Sequence, residues 1–299
     1  MTTRTRGPLA GFHWLRNAVN LGHGNPKAVL GGAALIGLLS LVPSLVTLPL
    51  QLGAAADAAP DMGRFGLVMA ISLLGGLLLV PAFAGYLGII DAAERGRAAR
   101  ALDVFAPYRD GSTLRLMGYG LAMLAVYAIA LVAIVAVAGA GVASWYMQAM
   151  ANPNAASAMT EMPAGLGLAM GLGMALGLLI MGVYAISLGQ VSLGGRSVLG
   201  SIGDGVVGSL KNVLPLIVLA VCGLIAGLIG AIAFGLLAGL VAVITKFVGS
   251  WFLVLLAPLY LGLILVVFVV MFGVMYHLWR DVCGEGLGHD EAPSQAMTA

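Results

Sequence analysis

Charge is what this chain has least of. Asp, Glu, Lys and Arg make up 9% of its 299 residues, while 61% are hydrophobic. A soluble globular domain carries about 25% charged residues, so that class is excluded. The few charges are also clustered. None lies between Lys27 and Asp57, Arg64 and Asp91, Arg115 and Glu161, Glu161 and Arg196, Lys211 and Lys246, or Lys246 and Arg280. Each gap is long enough for the roughly 20 apolar residues that a bilayer core demands.

Other shortages narrow the chemistry. There are only two cysteines, Cys222 inside an apolar run and Cys283 near the C-terminus. They fall at different depths, so a structural disulfide between them is not expected, and neither has zinc-like spacing to a partner. His13 and His23 are almost three turns apart, too far for one metal without a further ligand. No Gly-x-Ser-x-Gly, His-Glu-x-x-His, Cys-x-x-Cys or phosphate loop occurs, so no catalytic residue, metal or cofactor is assigned. No ionisable group falls near the middle of an apolar run, which argues against a proton-driven pump. The basic residues track the apolar boundaries, so no nucleic-acid surface is read.

What the chain does have is a series of apolar segments. The expected fold is all-α: a polytopic membrane protein with six transmembrane helices near 28–50, 66–90, 116–142, 165–190, 214–241 and 252–277. The stretch "SWYMQAMANPNAASAMTEMP" carries Asn152-Pro153-Asn154 turn chemistry and too many polar groups for hydrocarbon, so it reads as a loop. The expected division is an N-terminal segment 1–27, a membrane domain 28–279 and a tail 280–299. "LGAAADAA" at 52–59 looks like a cleavage site, but the preceding apolar run is long and starts far from the N-terminus. The first run is therefore expected to stay as a span.

Orientation follows from Lys and Arg. Twelve of the fourteen fall on the side of the two termini, leaving Arg64 and Lys246 opposite. The positive-inside rule then makes both termini cytoplasmic. Trp145-Tyr146 and Trp251-Phe252 would mark the outer interface, Tyr276 and Trp279 the inner one.

Helical periodicity marks an amphipathic segment at "FHWLRNAVNLGHGNPK". His13, Arg16, Asn17, Asn20, His23, Gly24 and Lys27 share one face, and Phe12, Trp14, Leu15, Ala18, Val19 and Leu21 the other. Such a helix should lie in the interface, apolar side in the acyl boundary, with Arg16 and Lys27 at anionic head groups. Gly24-Asn25-Pro26 then breaks it. "SVLGSIGDGVVGSLKN" and the shorter "ARALDVFAPYRDG" are similar. Each precedes two spans, which reads as a threefold internal repeat of an interfacial helix and a helix pair.

Trp14, Asn25-Pro26, Pro81, Gly85, Glu94-Arg95-Gly96 and Phe105-Ala106-Pro107-Tyr108-Arg109 together resemble an uncharacterised family of proteobacterial inner-membrane proteins. The likeness covers about the first 120 residues well and the rest by architecture only. It implies a six-span protein of the bacterial inner membrane and brings no activity with it.

The candidate interaction residues on the cytoplasmic side are Trp14, Arg16, Asn25, Pro26, Asp91, Glu94, Arg95, Tyr108 and Arg109, with Asp91 and Arg95 spaced to pair at i,i+4. Gly167-x3-Gly171, Gly173-x3-Gly177, Gly223-x3-Gly227 and Gly235-x3-Gly239 suit close helix packing within the chain, or an interface between copies. Pro43, Pro49 and Pro81 are expected to kink the first two spans. The expected partners are membrane lipids and an unidentified membrane or cytoplasmic protein. The expected function is a non-enzymatic organiser of partners at the inner leaflet. A facilitator or channel is the alternative, and a membrane-embedded lipid enzyme, which would need a buried polar cluster, is the least favoured.

Overall fold

The computed structural model describes residues 3–21, 25–56, 62–151, 162–249, 254 and 256–284. His23, Gly24, Asn152-Pro153-Asn154, Trp251-Phe252 and most of the tail lie outside them. All regular structure among the described residues is helical. Six helices are long and apolar enough to cross a membrane: Pro26–Leu52, Gly63–Glu94, Thr113–Ala138, Leu166–Ser192, Val213–Lys246 and Leu256–Cys283. This is the expected polytopic all-α class.

In chain order the elements are α1 (Ala10–Val19), α2 (Pro26–Ala56), α3 (Met62–Glu94), a 3-10 turn (Ala101–Phe105), α4 (Ala106–Arg109), α5 (Thr113–Ala138) and α6 (Ala140–Ala151). Then follow α7 (Leu166–Ser192), α8 (Val198–Lys211), α9 (Val213–Val248) and α10 (Leu256–Cys283). The third span ends at Gly139, whose φ of 94° starts a new helix, α6. That helix runs through 144–151 and so corrects the start of the expected loop. Apart from Ser144 and Gln148, these residues are apolar or aromatic enough to stay helical. Pro43, Pro49 and Pro81 sit inside α2 and α3 without ending either helix.

The chain divides into two compact units, Gly22–Met181 and Met1–Leu21 with Gly182–Ala299. In the first, α2 and α3 pack along each other, and the ring of Tyr86 fills the space opposite Gly32. The Tyr86 hydroxyl donates to Val29 O at 3.1 Å, satisfying a phenol that is wholly buried. The ring of Pro43 sits in the gap left by Gly75. The 3-10 turn and α4 lie across the end where α2 starts and α3 finishes.

In the second unit, α1 packs on α9 and α10. Trp279, Tyr276, Phe272, Leu188 and Ile186 are among its fully buried large side chains. They belong to the last turns of α7 and α10. In each unit we call this the basal end: odd-numbered spans begin there and even-numbered spans finish there.

The interfacial helices are placed differently from the sequence expectation. The repeat pairs each with the two spans that follow it. Instead, the 3-10 turn and α4 pack on α2 and α3, which precede them. Likewise α8 lies on α7, through Gly205 and Ser209. The N-terminal α1 packs on the last two spans. Two of the three segments thus dock on the span that ends just before them, and α1 docks on the last two spans.

The expectation that these glycines pack helices closely within the chain is also corrected. A Cβ placed on Gly167, Gly171, Gly173, Gly177, Gly223, Gly227, Gly235 or Gly239 would meet nothing within 4 Å among the described residues. Close approach occurs elsewhere. A Cβ on Gly85 would fall 2.2 Å from Val104 O, one on Gly205 2.7 Å from Val183 O, and one on Gly11 2.1 Å from Pro215 O. Each of these glycines sets an interfacial segment directly against the backbone of a span. Helix-period small residues in lipid do permit backbone contact, but at these three glycines the contact is made toward the basal ends.

Candidate basal interaction sites

Interfacial helices laid on a helix bundle need side chains to fix their ends. In each such device an arginine just ahead of the segment reaches a carboxylate, which for Arg97 and Arg6 is near the end of an even span and for Arg196 is on the interfacial helix itself.

In the first unit, α3 ends with Arg95, Gly96 and Arg97. Gly96 has φ +66°, and the backbone N–H groups of Gly96 and Arg97 return to Ala93 O and Ala92 O. This is the glycine-terminated turn that satisfies the last helix carbonyls. It carries Arg97 back over the helix end, where Arg97 and Arg95 both donate to Asp91. Asp91 is buried; the guanidiniums remain partly in water. One carboxylate against two cations leaves the cluster positive.

In the second unit, Gly195 has φ +65° and Arg196 N donates to Gln190 O at 3.1 Å. The Arg196 guanidinium binds both oxygens of Asp204 on α8, at 3.0 and 3.2 Å. Gln190 donates to the same carboxylate at 2.9 Å and accepts from the Trp279 indole at 3.4 Å. Asp204 raises the affinity of the exposed Arg196 for its proton, through the hydrogen bond first and its charge second.

The third device joins the chain's two ends, also within the second unit. Arg6 pairs with the Asp281 carboxylate at 2.8 Å and donates to the Asp281 carbonyl. The Trp14 indole donates to the other carboxylate oxygen at 2.9 Å. Asn212, buried between α8 and α9, accepts from Arg6 N and donates to Arg4 O and Gly208 O. The N-terminal segment is thereby stitched to the ends of α8 and α10. Partly exposed ion pairs contribute only about 0.2–1 kcal/mol each; their main effect is to fix where the interfacial helices lie.

The nominated residues fall into two groups. Trp14 is buried against α9 and α10, while Arg16 on the same helix is exposed. Asn25 accepts from Ala28 N at the start of α2 and donates to Ala99 O, tying that start to the segment before the 3-10 turn. Pro26 is the first residue of α2, where its missing N–H costs nothing. Asp91 and Arg95 form the expected i,i+4 pair at 2.7 Å, and Glu94 beside them is exposed. Tyr108 donates to Leu78 O, and Arg109 to Leu102 O at 3.2 Å. Burial raises the pKa of the Tyr108 hydroxyl. The Ser112 hydroxyl and then its backbone N–H hold Asp110 below the usual carboxylate range.

Sequence reasoning passed over Arg6, Arg97, Gln190, Arg196, Asn212 and Asp281. The signal for two of the devices was present: Asp91-x4-Gly96-Arg97 and Gln190-x4-Gly195-Arg196 share one spacing. Among the described residues, no three His, Cys, Asp or Glu side chains come close enough to hold a metal.

The chain matches no family model, no curated protein and no solved structure.

Proposed function

We propose that this chain is a non-enzymatic protein of the bacterial inner membrane that organises lipid or protein partners on its cytoplasmic face, with both termini in the cytoplasm. The observation that carries this reading is the concentration of fixed polar structure at the basal ends. There, three interfacial segments are set by arginine–carboxylate contacts and by direct backbone approach at Gly11, Gly85 and Gly205. A rigidly built interfacial surface suits holding a partner. The carboxylates of Asp91, Asp204 and Asp281 are occupied by arginine, glutamine or indole donors, which makes them poor general bases. The excess of Lys and Arg on the side of the termini supports the orientation, and the likeness to the uncharacterised proteobacterial family supports the compartment.

The test is native mass spectrometry of the protein taken from its own membrane into lipid nanodiscs. A protein or lipid retained at a fixed ratio is expected. A chain that carries no companion would contradict the reading.

A second reading, a facilitator for a small solute, is favoured by one feature of the first span. Ser40, Ser44, Thr47 and Gln51 lie along one face of α2, with Thr47 buried and Gln51 donating to its hydroxyl at 3.0 Å. A polar stripe in a span can line a path. Solute flux into liposomes that is abolished by Thr47→Val would favour this reading over the first.

A further inference from the structure

The two longer interfacial helices share an arrangement that their sequences do not announce. On α8 the small and polar residues are the buried ones: Ser201, Gly205, Gly208 and Ser209 face the protein. Its bulky apolar residues point away, with Leu199 79% and Leu210 58% exposed. On α1, Gly11, Trp14 and Ala18 face the protein, while Phe12 and Val19 are exposed. At about 100° per residue, the order around both axes is docking face, exposed apolar arc, polar arc, turning in the same sense. The short third segment also exposes an apolar residue, Leu102. Each of the three helices has a basic residue in its last turn: Arg16 on α1, Arg109 on α4 and Lys211 on α8, all exposed.

An exposed apolar arc is costly in water and favourable in an acyl boundary, and a cation beside it then reaches phosphate depth. From this we infer that each interfacial helix by itself binds anionic phospholipid, with Phe12, Val19, Leu199 and Leu210 in the acyl boundary and Arg16, Arg109 and Lys211 each at a head-group phosphate. The inference deepens the organising role proposed above and rests on it. Lys211 already donates to Thr3 O and Arg109 to Leu102 O, so both side chains are held in place with donors to spare.

The test uses the full chain in nanodiscs of mixed phosphatidylglycerol and phosphatidylcholine, with retained lipid counted by native mass spectrometry. The wild type should be enriched in phosphatidylglycerol. The triple variant Arg16→Gln, Arg109→Gln, Lys211→Gln should lose enrichment by roughly fivefold per cation. The charge-preserving set Arg16→Lys, Arg109→Lys, Lys211→Arg should keep it, which separates charge from a structural role. Neutralising Arg64 and Lys246 should leave it unchanged. No enrichment in the wild type, or enrichment that survives the triple variant, would overturn the inference. If a protein partner is retained without phosphatidylglycerol enrichment, this inference fails while the organising role stands.

Discussion

Single glycines make the sharpest distinction in this molecule, because identical residues in similar helices have opposite surroundings. Gly11, Gly85 and Gly205 each leave no room for a Cβ beside a backbone oxygen. Alanine at any of them should lower stability by about 1–3 kcal/mol, since backbone cannot yield as a side chain can. Gly171→Ala and Gly227→Ala should be neutral or stabilise by up to about 1 kcal/mol, as alanine favours helix and meets nothing there. Thermal-shift measurements on the five variants in one lipid mixture would check both halves. Tyr108 gives a pH prediction. Its folded pKa is raised by burial, so its contribution is fully present below the unfolded value of about 10 and is lost as pH rises through the folded value. A difference ultraviolet titration against Tyr108→Phe should place this phenol's ionisation above the usual range.

The elements show what was legible in the sequence and what was not. The six spans were readable because a bilayer imposes length and apolarity on each helix independently, so charge-free gaps suffice. Amphipathic periodicity likewise located α1 and α8. It could not say which face meets protein. On α8 the small and polar residues Ser201, Gly205, Gly208 and Ser209 dock and Leu199 and Leu210 are outward, an inversion that the proposed lipid contact explains. Nor could it reveal that Trp14 reaches Asp281, a pairing across the length of the chain. The Gly-x3-Gly pairs misled for a related reason: spacing permits close approach but does not supply the neighbour. Trp14→Phe keeps the buried ring and removes the indole donor to Asp281. A hydrogen bond to a charged group contributes about 1.5–3 kcal/mol, so α1 amide exchange should accelerate by roughly tenfold or more. Phe12→Leu, on the exposed arc, should leave it unchanged.

At the scale of the whole molecule, the ends of the chain complete each other. Arg6, Trp14 and Asn212 bind the N-terminal segment into the unit that contains the last two spans. The interfacial helix on α9 and α10 is therefore α1, from the N-terminal segment, while α2 begins the other unit. The proposed partner-holding surface depends on this closure, because an undocked α1 would lose its fixed apolar and cationic arcs. The direct measurement is a disulfide between Ala18→Cys and Gly273→Cys, in full-length protein with Cys222 and Cys283 replaced by alanine. A Cβ on Gly273 lies 2.9 Å from the Ala18 Cβ, near enough that slight relaxation reaches the Cβ–Cβ spacing of about 3.5–4.5 Å that a disulfide requires. The account predicts rapid, near-complete crosslinking of these two positions under mild oxidation in native membranes. Both thiols remaining free, or reacting readily with a bulky water-soluble maleimide, would contradict it.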